Sequence, residues 1–183
     1  MNAEITQLAS RIKLLLMDVD GVLTDGRILY SSDGVEIEAF HIRDGVGLRA
    51  AHRAGLLTAL LTGRVSPAVA RRAKELDISE IHKGIPDKVE IYETLLRRYN
   101  LTDEAVAYIG DDLNDLPLLA RAGLAAAPAD AADEVKARVA YVTARGGGRG
   151  AVREVIELIL KAQGKWEEVI ENRGVLPGGE AFP

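Results

Sequence analysis

Short runs of apolar residues alternate with amphipathic stretches along most of this 183-residue chain. The runs at 14–17, 56–61 and 105–109 contain almost no polar residues, which is typical of strands buried on both faces of a parallel sheet. The stretches between them carry apolar residues at helical spacing, most clearly at 152–160. The alternation predicts an α/β fold, a doubly wound, Rossmann-like parallel sheet with helices on both faces. Weaker patterns predict a helical lead-in at 1–10, short strands at 78–82, 124–126 and 141–143, and a helix near 130–138.

Residues that favour helix N-termini precede three of the predicted helices. Asp44 is expected to cap a helix that ends at Gly55. Ser66, followed by a proline, and Asp87, followed by a lysine, should begin the next two helices.

A Ser/Asp/Gly turn at 31–34 separates two β-prone runs, so the segment Arg27–Phe40 is predicted to form a β-hairpin. It carries apolar residues such as Tyr30 and Ile37 on a two-stranded unit, which is marginally stable alone in water. The hairpin must therefore fold onto the sheet or pair with another subunit.

The chain is long enough for one domain with a substantial core, and it contains no internal repeat. We expect a single domain over 1–172 and a Gly/Pro-rich tail at 173–183. The glycine-rich segment 146–150 is expected to be a flexible loop.

Composition and charge exclude several classes of protein. The formal net charge is −5 and there is no long basic block, which argues against nucleic-acid and membrane-surface partners. The absence of cysteine rules out disulfides, a thiol nucleophile and thiolate metal sites. The N-terminus is too polar for a signal peptide and no apolar run reaches membrane-spanning length, so we expect a cytoplasmic protein.

Two aspartates, Asp18 and Asp20, follow the first apolar run. Residues i and i+2 point to the same side of an extended chain, here at the edge where open α/β sheets bind ligands. Carboxylates ~5 Å apart at an effective dielectric near 20 repel by roughly 3 kcal/mol, so they need a counter-charge. Mg²⁺, a hard cation that prefers oxygen ligands, is the simplest candidate. The alternative is that both acids merely cap the following turn.

Polar residues also follow the next two strands. Thr62 ends one, and Asp111, Asp112 and Asp115 follow the other, while Lys88 begins a helix near the same edge. Each has an ordinary explanation: a hydroxyl capping a turn, a solvated lysine, or acids at a helix N-terminus. Their coincidence at three strand ends favours a site for phosphoryl transfer, where charge on the transferring oxygens must be positioned and neutralised.

The expected chemistry divides among four side chains. Asp18 attacks phosphorus and forms an aspartyl-phosphate, and Asp20 protonates the leaving alcohol and then deprotonates water. Thr62 and Lys88 hold the phosphoryl oxygens.

The expected metal site binds Mg²⁺ through carboxylates. The predicted ligands are Asp18, Asp20 and Asp111, and the predicted supporting acids are Asp112 and Asp115.

Four motifs, in this order, resemble those of the haloacid dehalogenase-like phosphatase superfamily. They are Asp-Val-Asp-Gly at 18–21, Thr-Gly-Arg at 62–64, Lys88, and Gly-Asp-Asp-Leu-Asn-Asp at 110–115. Further segments at 18–26, 42–45 and 147–155 look like the family of 3-deoxy-D-manno-octulosonate 8-phosphate phosphatases.

This resemblance implies a core without a cap domain, a Mg²⁺-dependent enzyme of lipopolysaccharide biosynthesis, and a homotetramer joined through the 27–40 hairpin. It also implies that the glycine-rich loop and the C-terminal segment reach a neighbour's active site. Arginines suit a sugar-acid phosphate because a guanidinium pairs bidentately with carboxylate or phosphate. The substrate contacts that it implies are Asp20, His41, Arg43, Asp44, Gly45, Arg49, Arg64, Arg72 and Lys88.

There are three alternative hypotheses to the hydrolysis of an eight-carbon sugar-acid phosphate. A phosphatase for nine-carbon, sialic-acid-type 9-phosphates would share the motifs. A non-catalytic module associated with a cytidylyltransferase would not need the intact acids. A phosphomutase is disfavoured, because the hairpin alone leaves no room for a cap that excludes water.

Overall fold

The computed structural model describes residues 2–171. The tail predicted at 173–183 lies outside the described residues. The elements are, in chain order, α1 (Ala3–Ser10), β1 (Leu14–Met17), β2 (Leu29–Tyr30), β3 (Glu36–Ile37), α2 (Ile42–Arg53), β4 (Leu57–Thr62), α3 (Pro67–Glu75), β5 (Glu80–Lys83), α4 (Lys88–Tyr99), β6 (Val106–Ile109), α5 (Leu116–Leu119), β7 (Leu124–Ala127), α6 (Asp133–Lys136), β8 (Tyr141–Val142), α7 (Ala151–Ala162) and α8 (Trp166–Glu171). Short 3₁₀ turns at Asp103–Ala105 and Leu113–Asp115 flank β6.

Six strands form one parallel sheet in the order β5-β4-β1-β6-β7-β8. From β1 the chain moves outward through β4 to β5, and it then returns to the other side of β1 and continues through β6 to β8. The direction of winding therefore reverses beside β1, and a crevice opens at the carboxyl ends of β4, β1 and β6, where such sheets bind ligands. The predicted doubly wound fold is confirmed.

The sheet separates two apolar layers because successive residues of a strand point to opposite faces. Leu15 and Met17 of β1 pack in the layer that also holds α1, α2, α3, α7 and α8. Leu14 and Leu16 pack in the other layer, with α4, α5 and α6. All four side chains are fully buried, so β1 is fixed from both sides and its carboxyl end is a rigid base for the acids that follow.

The hairpin forms as predicted but is short. Strands β2 and β3 form their own two-stranded antiparallel sheet, with Leu29 opposite Ile37. Its apolar side chains are exposed; Tyr30 is 66% accessible. Within residues 2–171, the hairpin therefore has an exposed apolar surface.

Helix α2 begins three residues earlier than predicted, and Asp44 does not cap it. The cap is His41, whose Nδ1 accepts a hydrogen bond from the backbone N–H of Arg43 at 3.2 Å. Asp44 lies inside the first turn and is 1% exposed. Its carboxylate accepts hydrogen bonds from the backbone N–H groups of Gly150 (3.2 Å) and Arg153 (2.8 Å). The prediction was wrong because this carboxylate accepts hydrogen bonds from backbone N–H groups at the start of another helix, α7.

The glycine-rich loop is packed rather than open, contrary to the expectation of a flexible segment. Gly148 N–H donates to Val22 O at 2.9 Å and Gly147 N–H to Asp130 Oδ1 at 2.8 Å. A Cβ on Gly147 would collide with the backbone carbonyl of Gly21. These glycines allow two stretches of backbone to approach closely.

None of the described helices is long and apolar enough to cross a membrane.

Candidate active site

Asp18 is the first residue after β1, and its surroundings hold it in one orientation. Its backbone N–H extends the sheet ladder by donating to Ile109 O at 3.0 Å. The side chain is almost fully buried, and Oδ1 accepts from the N–H of Val19 at 2.7 Å. Oδ2 lies 2.9 Å from the ammonium of Lys88.

Lys88 is the first residue of α4, where Asp87 caps the helix. It is 7% exposed. Besides Asp18, its Nζ contacts Asp115 Oδ1 at 2.7 Å and the hydroxyl of Tyr108 at 3.4 Å. Burial lowers the pKa of Lys88, but the two ion pairs outweigh it and the pKa is raised overall. The ammonium is therefore charged and has three oxygen acceptors around it.

Asp115, predicted as a supporting acid, is fully buried and accepts several hydrogen bonds. Oδ1 accepts from Lys88 and, at 2.6 Å, from the hydroxyl of Tyr108. Oδ2 accepts from the backbone N–H groups of Asp111 (2.9 Å) and Asp112 (3.4 Å). Four donors saturate this carboxylate, which leaves it little capacity to bind a cation.

Asp111 completes the cluster. One carboxylate oxygen from each of Asp18, Asp111 and Asp115 lies within 4.8 Å of the other two. Burial, and then the charges of its acidic neighbours, raise the pKa of Asp111 to about 7. Burial, followed by repulsion from Asp115, raises the pKa of Asp18 to about 6, although Lys88 opposes the shift.

This donor set fits a divalent cation. Three carboxylates and one ammonium leave two uncompensated negative charges, and every ligand atom is oxygen, which suits Mg²⁺. The carboxylate of Asp111 accepts no hydrogen bond from any described residue, so its oxygens are available to a cation.

Asp20, predicted as a third metal ligand, does not place its carboxylate in this cluster. Its Oδ2 accepts from the hydroxyl of Thr62 at 3.3 Å, and its Oδ1 lies 3.4 Å from Nη1 of Arg64. The chain leaves the extended conformation directly after β1 and turns at Gly21, which has φ +80°. The two-residue alternation that predicted parallel side chains therefore ends before Asp20.

Arg64 connects the site to the hairpin. While Nη1 faces Asp20, Nη2 donates to Oε1 of Glu36 in β3 at 2.5 Å. The forked guanidinium suits this bridging of two carboxylates. Glu36 was not predicted, and no signal in the sequence distinguished it from an exposed strand residue.

Asp112 has the ordinary structural role considered above. Its side chain accepts from the N–H of Leu113 at 2.7 Å and forms a capping box with Asp115 at the 3₁₀ turn.

The predicted substrate contacts are spread over a wider surface. Gly45 packs against the guanidinium of Arg72, which also pairs with Glu75. Arg43 and Arg49 line a groove of about 760 Å³ between α2, α7 and α8. The arginines that line this groove are Arg43, Arg49, Arg53, Arg145, Arg149 and Arg153.

Comparison with known proteins gives a consistent result. A family model described as haloacid dehalogenase-like hydrolase matches residues 73–156. The chain is 43% identical to the 3-deoxy-D-manno-octulosonate 8-phosphate phosphatase of Escherichia coli over 168 residues, 92% of this chain and 89% of that protein. The crystal structure of the Yersinia pestis phosphatase of the same name superposes with a TM-score of 0.90 at 44% identity, covering 91% of this chain and 90% of that one. That of the Moraxella catarrhalis phosphatase, in complex with magnesium, phosphate and KDO, gives 0.90 at 45% identity, covering 93% and 98%.

Proposed function

The chain belongs to the haloacid dehalogenase-like hydrolases, within the family of 3-deoxy-D-manno-octulosonate 8-phosphate phosphatases, and on that premise we propose that it hydrolyses the phosphate monoester of this eight-carbon sugar acid. The observation that carries the proposal is the buried cluster of Asp18, Asp111, Asp115 and Lys88 at the carboxyl edge of the sheet. The products are the free sugar acid and inorganic phosphate.

In the first half-reaction, a carboxylate oxygen of Asp18 forms a bond to phosphorus and the bond from phosphorus to the sugar oxygen breaks. Lys88 keeps the attacking carboxylate oriented, because it contacts Oδ2 at 2.9 Å. Asp20 donates a proton to the departing sugar oxygen, and Thr62, hydrogen-bonded to Asp20, would hold a phosphoryl oxygen.

In the second half-reaction, Asp20 takes a proton from water, the water oxygen bonds to phosphorus, and the bond between Asp18 and phosphorus breaks. Phosphate is released and both aspartates return to their initial state. Because the same Asp20 carboxyl serves both steps, the site regenerates itself without an external acid or base.

The metal that this site would bind is Mg²⁺, with Asp18 and Asp111 as its carboxylate ligands. When bound, it neutralises charge on the carboxylates and on the phosphoryl oxygens. Asp115, whose oxygens already have four donors, supports the site rather than binding the ion. A direct contact of Asp20 with the metal stays a prediction.

A cytoplasmic homotetramer joined through the 27–40 hairpin is part of the proposal. The exposed apolar side chains of the hairpin support it, and so does the crevice, over which residues 2–171 form no cap domain, because both leave surface that a neighbour would cover. The arginine-lined groove offers Arg43 and Arg49 to anionic substrate in such an assembly.

Phosphate release from a panel of sugar phosphates tests the proposal. We expect the eight-carbon sugar-acid phosphate to be hydrolysed with the highest kcat/KM, and the activity to disappear in excess chelator and return with Mg²⁺. Preference for a nine-carbon 9-phosphate would reassign the substrate, and full turnover in chelator would contradict the metal site.

A further inference from the structure

Tyr108 is a polar residue in an otherwise apolar strand. It lies in β6, all four residues of which are buried, and its own side chain is fully inaccessible. A buried phenol normally has a hydrogen-bond partner. Here the hydroxyl reaches the carboxyl edge of the sheet and ends among the charged groups of the site.

The hydroxyl makes two contacts of opposite sense. It donates to Oδ1 of Asp115 at 2.6 Å and accepts from Nζ of Lys88 at 3.4 Å. Burial, and then the neighbouring carboxylates, hold the pKa of Tyr108 well above its usual range. The phenol therefore stays protonated and acts as a hydrogen-bond donor to Asp115.

Tyr108 thereby completes the surroundings of Lys88. An ammonium has three N–H donors, and the three oxygens around this one belong to Asp18, Asp115 and Tyr108. The phenol also shares Oδ1 of Asp115 with the lysine. Without it, one buried N–H would lose its acceptor, and Oδ1 of Asp115 would keep Lys88 as its one side-chain donor while Oδ2 kept its two backbone donors.

We propose that Tyr108 is a positioning residue for phosphoryl transfer. Its hydroxyl donates a hydrogen bond to Asp115 and accepts one from Lys88, and these two contacts keep the ammonium directed at the carboxylate of Asp18. It contacts no reacting atom and acts through Lys88 and Asp115. The kinetic part of this inference rests on the proposed function, because it assigns the benefit to the nucleophile Asp18.

The variant Tyr108→Phe tests the proposal, because it keeps the ring in the core and removes only the hydroxyl. We expect kcat to fall roughly 10- to 100-fold, as for other residues that orient groups in a site, while KM changes by less than about twofold. Tyr99→Phe is the matched control: it removes a phenol–carboxylate hydrogen bond of 2.7 Å, to Glu80, and should leave kcat unchanged.

A double-mutant cycle distinguishes positioning from packing. If Tyr108 acts through Asp115, then Tyr108→Phe should cost little further activity in an Asp115→Asn background. A purely structural role would lower the activity by the same factor in both backgrounds, and that result would overturn the proposal, as would a wild-type kcat in Tyr108→Phe.

Two further measurements separate this inference from the proposed function. Assays with p-nitrophenyl phosphate report on the phosphoryl site even if the sugar-acid substrate is wrongly assigned, and they should show the same loss of kcat. A crystal structure of Tyr108→Phe should show Nζ of Lys88 displaced from Oδ2 of Asp18 beyond hydrogen-bond distance. An unchanged contact would refute the positioning role whatever the substrate.

Discussion

At the scale of single residues, the site is a concentration of buried charge that its own lysine compensates only in part. Asp18 and Asp111 have raised pKa values, of about 6 and about 7, for the same reason: both lose hydration and face other carboxylates. The cluster is therefore costly to the folded protein until a cation or protons neutralise it. The same buried carboxylates that would carry out catalysis therefore also destabilise the fold locally.

Replacing the nucleophile tests the covalent mechanism. Asp18→Asn should lower kcat by more than about a thousandfold, a barrier increase of at least ~4 kcal/mol, because an amide cannot form the acyl-phosphate bond. Single-turnover phosphate release measures the loss. The control is Asp133→Asn, which removes an exposed carboxylate of α6 and should be neutral; a retained rate in Asp18→Asn would sink the mechanism.

The raised pKa values also predict how stability depends on pH in chelated protein. The unfolded pKa of an aspartate is near 4, so between about pH 4 and 7 the folded state binds more protons at Asp18 and Asp111 than the unfolded state does. Their stabilising protonation is complete below pH 4 and is lost as the pH rises through 6 and 7. We expect these groups to lower the free energy of unfolding by about 4 kcal/mol between pH 5 and 8.

Urea unfolding at each pH, with and without Mg²⁺, measures this dependence. His52, whose burial lowers its pKa, contributes in the opposite direction, so the difference between wild type and Asp18→Asn isolates the site. The decline should be shallower in Asp18→Asn and in Mg²⁺-bound protein. Parallel curves for wild type and Asp18→Asn in chelator would show that the carboxylates are not coupled as described.

At the scale of elements, the glycine-rich loop is held by contact and not only by backbone conformation. Gly148 has φ +59°, and a Cβ there would meet the backbone of Thr24 and Asp25 at 2.6 Å. Gly55 has φ +76° with nothing within 4 Å of such a Cβ. The two positions thus share the conformational requirement for glycine and differ in crowding.

Alanine at each position separates the two effects. Gly55→Ala should cost about 1–2 kcal/mol of unfolding free energy from the left-handed conformation. Gly148→Ala should cost a further 1–3 kcal/mol from overpacking and should also lower kcat, since it displaces the loop that follows Asp20. Equal losses in both variants would mean that the loop can move away freely.

The sequence predicted the elements well where local and global preferences agree. The buried run before Asp18 and the Ser66 cap followed by proline both appear in the structure as expected. Asp44 and Asp20 show the limit. A good capping residue at 44 is used by a helix more than a hundred positions later, and the turn after β1 redirects the second aspartate. Neither partner can be inferred from nearby residues.

The sequence indicated most of the residues that form the site, but not which of them contact each other. Apolar runs ending in acids indicated where Asp18 and Asp111 would meet, because parallel strands share an edge. The sequence also contains a signal for Tyr108, which is a hydroxyl in a buried strand next to the acids. Glu36 carried none, since its pairing with Arg64 depends on where the hairpin folds in space.

At the scale of the whole molecule, the hairpin carries a dense group of exposed apolar side chains among the described residues, and the proposed assembly would cover them. Replacing Tyr30 and Ile37, which are 66% and 49% exposed, by aspartate should yield species smaller than wild type in light scattering, because charge would enter the proposed shared core. KM for the sugar-acid phosphate should rise with it. Val142→Asp is the control: it charges another exposed apolar position, 40% accessible. A fully active wild-type monomer would contradict the assembly.

The bonds from Asp44 to Gly150 and Arg153 join segments 106 and 109 residues apart in sequence, and this separation bears on how the enzyme is made. Contacts so distant form late, because a long loop must close first. During synthesis, the turn that carries Asp18 and Asp20 leaves the ribosome long before the loop that packs against it exists. We expect the nascent chain to complete its active site only in a late step, after β6 has paired with β1 and α7 has docked.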